Sequence, residues 1–136
     1  MIPRRHLLIA AGAALLPPPA RATPAEVAAL IRELTGGAAP RPGRVKLEIP
    51  VLVENGNAVS MTVSADAPVR SIHVFAEANP NPNVITLHFG PASGAPRFAT
   101  RIRLATSQTV IAVAQAEDGF WMDSVELLVT LAACLE

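Results

Sequence analysis

The chain has 136 residues, a length that suits one domain, and its eleven Lys/Arg balance eleven Asp/Glu to a formal net charge of zero. It carries no basic stripe and no basic run interleaved with aromatics, which argues against nucleic acid as a partner. Aromatic surface is limited to four Phe and Trp121, yet apolar residues make up 51% of the chain, enough for a Val/Ile/Leu/Ala core.

Residues 1–22 hold the parts of an export signal in order. Arg4 and Arg5 are followed by an apolar stretch from Leu7 to Leu16, a Pro17-Pro18-Pro19 break, and Ala20-Arg21-Ala22 as a small-x-small cleavage site. An N-terminal core helix is the competing reading, and the proline run would break it. The apolar stretch is too short to cross a bilayer, so no membrane span is expected. Arg4-Arg5-His6-Leu7-Leu8 resembles a twin-arginine export signal, with Pro3 where Ser or Thr is usual and Leu7 where Phe is commoner. The expected destination is the bacterial periplasm, reached by a route that moves folded cargo. With no cysteine after the cleavage site, a lipoprotein anchor is not expected. Cleavage after Ala22 would remove Arg4, Arg5 and Arg21, leaving eight Lys/Arg against eleven Asp/Glu and a mildly acidic chain.

Thr23-Pro24-Ala25-Glu26 forms a capping box with Thr at the N-cap and Pro at the first helical position. Val27, Leu30, Ile31 and Leu34 follow at helical spacing, and Gly36-Gly37 ends the element, giving one short amphipathic helix within 23–37. Its apolar stripe is expected to cover one end or face of the domain that follows.

Residues 38–43, with Pro40 and Pro42, read as a linker, and from Val45 the period changes to two. Val45 to Ile49 alternates apolar and polar, and Pro50 limits that strand to an edge or a bulge. Asn55-Gly56 is a hairpin signal because both residues tolerate positive φ, with Val59, Met61 and Val63 on the return strand. After a turn at Asp66-Ala67-Pro68, Ser71 to Ala76 forms a strand with Ile72 and Val74 on one face. Asn79-Pro80-Asn81-Pro82-Asn83 reads as a stiff exposed loop because its prolines remove donors.

Further strands are expected at Val84 to Phe89, Arg97 to Ala105 and Thr109 to Ala116, with a loop from Gly90 to Pro96. Glu117-Asp118-Gly119 then turns the chain into Phe120-Trp121-Met122, and Val125 to Leu131 reads as a separate last strand. Seven or eight short strands over residues 44–131 predict an all-β fold, an immunoglobulin-like β-sandwich preceded by one short N-terminal helix.

Cys134 is the single cysteine, so no internal disulfide can form. It follows the last apolar strand, and two readings fit that placement. It is either a small buried hydrophobe or a reactive thiol on a terminal arm, 132–136, short enough to be engulfed by another protein's active site.

Glu77-Ala78-Asn79-Pro80-Asn81-Pro82, Phe89-Gly90-Pro91, Thr100-Arg101-Ile102-Arg103-Leu104-Ala105 and Asp118-Gly119 stand in order along the chain, with the export leader, the helix and the near-terminal cysteine. Together these stretches resemble the SoxY family, the sulfur-carrier subunit of thiosulfate oxidation. SoxY proteins end in Gly-Gly-Cys-Gly-Gly, whereas Ala132-Ala133-Cys134-Leu135-Glu136 is similar to SoxY-related proteins with an Ala-Ala-Cys-Ile-Glu arm.

The resemblance implies a carrier and not an enzyme: Cys134 holds a sulfur intermediate covalently, no other cofactor is needed, and partner enzymes process the cargo. It further implies that Ala132, Ala133, Leu135 and Glu136 form the arm those enzymes read, and that the sandwich pairs with a small SoxZ-like β-sandwich subunit. Ala and Leu restrict the backbone and add bulk compared with Gly, and carboxylates beside a thiol disfavour the thiolate. This arm is therefore expected to react more slowly unaided, with cargo or clients that differ from those of thiosulfate oxidation.

The remaining candidates favour ordinary roles. His73 and His88 lack ligand spacing and read as surface or boundary residues, so no metal site is expected. Asp118 and Asp123, flanking Trp121, read as solvated residues and not as an acid-base pair. No Ser-centred elbow, phosphate loop or HExxH pattern is present. Two alternatives to a carrier stay open: a non-catalytic assembly subunit with an inert tail thiol, and a redox-controlled homodimer joined through Cys134.

Overall fold

The computed structural model describes residues 21–130, so the expected export signal at Arg4 and Arg5 and the arm 132–136 lie outside the described residues. Helix α1 spans Pro24–Thr35. Nine strands follow: β1 Arg41–Pro42, β2 Val45–Glu48, β3 Leu52–Val53, β4 Val59–Ala65, β5 Ser71–Ala76, β6 Asn83–His88, β7 Arg97–Ile102, β8 Gln108–Ala116 and β9 Gly119–Val129.

The strands form two sheets. The larger runs β1-β9-β8-β5-β6, with β3 also paired to β9, and the smaller runs β2-β4-β7. Alternation places Ile72, Val74, Val110, Ala112 and Ala114 on one face of the larger sheet. They pack against Val45, Leu47, Met61 and Val63 of the smaller sheet, with Leu104 and Leu127 completing the core. This is the β-sandwich expected from the strand spacing, with all but β1–β9 and β3–β9 pairing antiparallel.

The helix covers the opposite face of the larger sheet. Val27, Leu30, Ile31 and Leu34 pack against Phe75, Ile111, Val113, Phe120 and Met122. Thr23 Oγ1 accepts from the Glu26 N–H at 3.2 Å, satisfying a donor left free in the first turn. Gly36, at φ 68°, ends the helix in the left-handed conformation, and the Gly37 N–H closes the turn onto Arg32 O at 2.9 Å.

Four details differ from the sequence reading. Residues 38–43 are more than a linker, because Arg41–Pro42 runs parallel to Trp121–Met122. Asn55-Gly56 is not a two-residue hairpin. Neither residue has a positive φ, the Asn55 side chain instead accepts from the Asn57 N–H at 3.0 Å, and the preceding Leu52–Val53 crosses to pair with β9 of the other sheet. β2 and β4 still pair antiparallel, Leu47 opposite Val63, but across a ten-residue excursion. Finally, Phe120 to Val129 is one strand. Asp123 does not interrupt it, because its carboxylate accepts the Leu47 N–H at 2.8 Å and so ties the edge of the smaller sheet to β9. The fourth difference, at Asn79, bears on the site and is described there.

Candidate functional site

Cys134 and its neighbours Ala132, Ala133, Leu135 and Glu136 lie outside the described residues, and the candidate site is built from the point where the arm leaves the sandwich. That point is Thr130, one residue beyond β9. The end of β9 lies parallel to β3, with Leu128 beside Leu52 and Val129 beside Val53. Leu128 N donates to Val51 O at 2.8 Å and Thr130 N to Val53 O at 2.9 Å. The Thr130 hydroxyl adds contacts to Val53 O and Glu54 O at 3.3 and 3.2 Å, and the Ser107 hydroxyl accepts from Val129 N at 2.8 Å. The two-residue β3 thus fastens the last strand where it would otherwise fray. Around this root Val51, Leu52 and Leu128 are each about 60% exposed, an unusual concentration of large apolar side chains in water.

Asn79 supports the same root from behind. The sequence reading placed it in an exposed loop, but it is only 6% exposed. Its Oδ1 accepts from Ala105 N at 2.9 Å and from Gln108 Nε2 at 3.0 Å, while its Nδ2 donates to Arg103 O at 2.8 Å. Gln108 returns an acceptor to Ala78 N at 2.8 Å. Asn79 and Gln108 therefore fix the 103–108 segment, which carries Ser107 to the arm root. Ala22, the last residue of the expected leader, is buried nearby, its N–H donating to Asn79 O at 3.0 Å. Only the Asn-Pro pairing hinted at this role, since an Asn side chain can replace the ladder bonds that the following proline forbids.

The other sequence candidates fall elsewhere. His73 is half-buried on the outer face of β5, its Nε2 3.1 Å from Ser71 Oγ, and its ring meets His88 edge-on at 6.5 Å. Burial, and then the neighbouring His88, lowers the His73 pKa from its ordinary value. Asp118 is exposed at the far end of β9. A hydrogen bond from the Trp121 indole at 3.1 Å, with Arg44 and Arg41 beside it, holds its carboxyl below the usual value. Among the described residues no three His, Cys, Asp or Glu side chains gather to hold a metal ion, and no helix is long and apolar enough to cross a membrane.

A family model described as "Sulfur oxidation protein SoxY" matches residues 31–134. The chain belongs to the SoxY family. The solved sulfur carrier protein SoxY from Chlorobium limicola f thiosulfatophilum is 25% identical, with a TM-score of 0.68 over 79% of this chain and 98% of that one. Two structures of superoxide reductase (neelaredoxin) from Ignicoccus hospitalis share the fold. They have TM-scores of 0.57 and 0.56, identities of 21% and 22%, and cover 71% and 64% of this chain and 90% and 80% of theirs. No curated protein sequence is significantly similar to the chain. The SoxY match begins inside α1, takes in Asn79, Gln108 and both sheets, and ends at Cys134.

Proposed function

We propose that this SoxY-family chain is a periplasmic sulfur carrier, exported by the twin-arginine route, that holds a sulfur intermediate covalently on Cys134 while partner enzymes process it. The observation that carries the reading is the SoxY match ending at the one cysteine of the chain, five residues beyond the end of β9, which is held by backbone and hydroxyl hydrogen bonds. A thiolate is the form of cysteine that bonds to sulfur. Joining it to a second reduced sulfur removes two electrons and releases any thiol proton. A partner oxidase must take up those electrons, because the described residues offer no redox group. The sandwich is the rigid handle, a SoxZ-like subunit its stable companion, and the chain is not itself an enzyme.

Reach sets where the clients dock. Four residues past Thr130 extend at most about 14 Å, so an enzyme that receives Cys134 in its active site must cover the surface around the root. Val51, Leu52 and Leu128 form that surface, and it matches an apolar channel rim on the client. Ala132, Ala133, Leu135 and Glu136 are the residues the channel reads. The test is loading in the native host, with Cys134→Ser expected to abolish oxidation of the sulfur compound that the pathway consumes. Unchanged oxidation in that variant contradicts the reading and favours an assembly subunit with an inert tail thiol.

A further inference from the structure

The end of the sandwich opposite the arm holds a cavity of about 760 Å³. β9 runs from the cavity to the arm root, so roughly 30 Å separates the two. The floor is apolar: Val69 and Ala116 are buried, with Pro96 and the half-buried Phe89 beside them. Four exposed charged residues, Arg44, Arg70, Glu117 and Asp118, complete the lining.

These charges are not equivalent. Arg44 has a φ of 60°, the one non-glycine residue with positive φ among the described residues, a conformation that persists only where surrounding contacts impose it. Its carbonyl accepts the Asp66 N–H at 2.9 Å, its guanidinium lies 4.7 Å from the Trp121 ring centroid, and its Nη1 is 3.3 Å from Asp118 Oδ2. Arg41 stacks on the same indole at 4.1 Å and donates to Asp118 O at 2.7 Å. The Asp118 carboxylate is thus occupied by two arginines and the indole N–H. Arg70 differs. Its backbone is fixed by bonds to Gln115 O at 2.8 Å and from Phe89 N at 2.9 Å, but its side chain has no hydrogen-bond or ion-pair partner among the described residues. The rim is also built, since Gly90 N donates to Ser93 Oγ at 2.9 Å and Ser93 N to Gly90 O at 3.1 Å.

We infer that this cavity is a binding site for a small organic anion, a carboxylate or sulfonate on an apolar body. The body fills the Val69–Phe89–Ala116 floor, and the oxygens take the fork of Arg70, while Arg44 stays paired with Asp118. A planar guanidinium matches two oxygens of one such head group, and a site of this volume with an apolar floor and few polar groups suits a small ligand. Exposed Glu117 at the rim opposes the same charge and limits affinity.

The test is titration of the intact protein with benzoate, and with benzylamine as the cation of the same shape, followed by backbone amide NMR. Benzoate is expected to give saturable shifts at Arg70, Phe89, Gly90 and Ala116, and benzylamine none. Arg70→Ala, or Arg70→Gln where the stem must be kept for folding, should weaken benzoate about 10-fold or more through loss of a charge-assisted bidentate contact. Glu117→Gln should tighten it. Cys134→Ser should bind as the unaltered chain does, so a failed carrier role and a failed anion site remain distinguishable. Equal binding of benzylamine, unchanged affinity in the Arg70 variants, or benzoate shifts spread over Arg97, Arg101 and Arg103 would overturn the site.

Discussion

Gln108 Nε2 donates to Asn79 Oδ1 across 3.0 Å in a place where both side chains are less than one-tenth exposed. This bond joins the β5–β6 connection to the 103–108 segment, and Ser107 of that segment holds Val129 at the arm root. A buried amide pair with its partners satisfied on both sides positions the carrier end without adding apolar surface to it.

Asn79→Ala leaves the Ala105 N–H buried without its acceptor and removes the donor to Arg103 O. The expected loss is about 2–4 kcal/mol, the cost of stranding buried polar groups, read by urea denaturation. Amide hydrogen exchange at Val129 and Thr130 should rise in the same variant. Unchanged protection there would separate Asn79 from the arm root.

Leu52→Asp changes a side chain that is 60% exposed on a strand held through its backbone. Stability should stay within about 0.5 kcal/mol of the parent, as for most surface substitutions. Loading of Cys134 by a client enzyme should slow, because the apolar rim now meets a charge. A loading rate equal to the parent's would place the docking face elsewhere.

Phe75→Ala removes the ring on which α1 rests, 3% exposed between Val27, Ile31 and Val113. A cost of about 3–5 kcal/mol is expected from the lost burial and the cavity left behind. Truncation of α1 should give a loss of similar size by denaturation if helix and sheet are one cooperative unit.

His73 sets a pH dependence. Its folded pKa lies below the ordinary histidine value of 6.5, through burial and then His88, so the unfolded chain binds the proton more readily. The neutral-His73 contribution is therefore fully present above about 6.5 and is lost as pH falls from there through the folded value. Thermal scans should show stability rising with pH through that window, with a shallower rise in His73→Asn.

The antiparallel core was legible because alternation alone specifies which residues face inward. β2, β4, β5 and β8 follow from Leu47, Met61, Val74 and Ala112 falling at period two. The helix was legible from Thr23, Pro24 and Gly36. What escaped the sequence is non-local. Arg41–Pro42 and Leu52–Val53 are two-residue strands whose partner lies more than seventy positions away, so no local period marks them. Asn55-Gly56 has hairpin chemistry, but the detour of Leu52 to β9 removes the tight turn that would have used it. Asp123 looked like a strand break because its acceptor role, toward Leu47 N, belongs to the other sheet. Asn79 looked like loop polarity until the 103–108 segment folded over it. The arm shows the opposite pattern. Cys134 and its neighbours were read from the sequence itself, and the structure contributes their root.

The most direct measurement is the intact mass of the protein purified from its native host, before and after reductant, with the C-terminal peptide sequenced. The account predicts a heterogeneous set of sulfur-containing adducts on Cys134 that reductant strips to one mass. A single unmodified mass from cells actively oxidising sulfur compounds, with a thiol that resists alkylation, would contradict it.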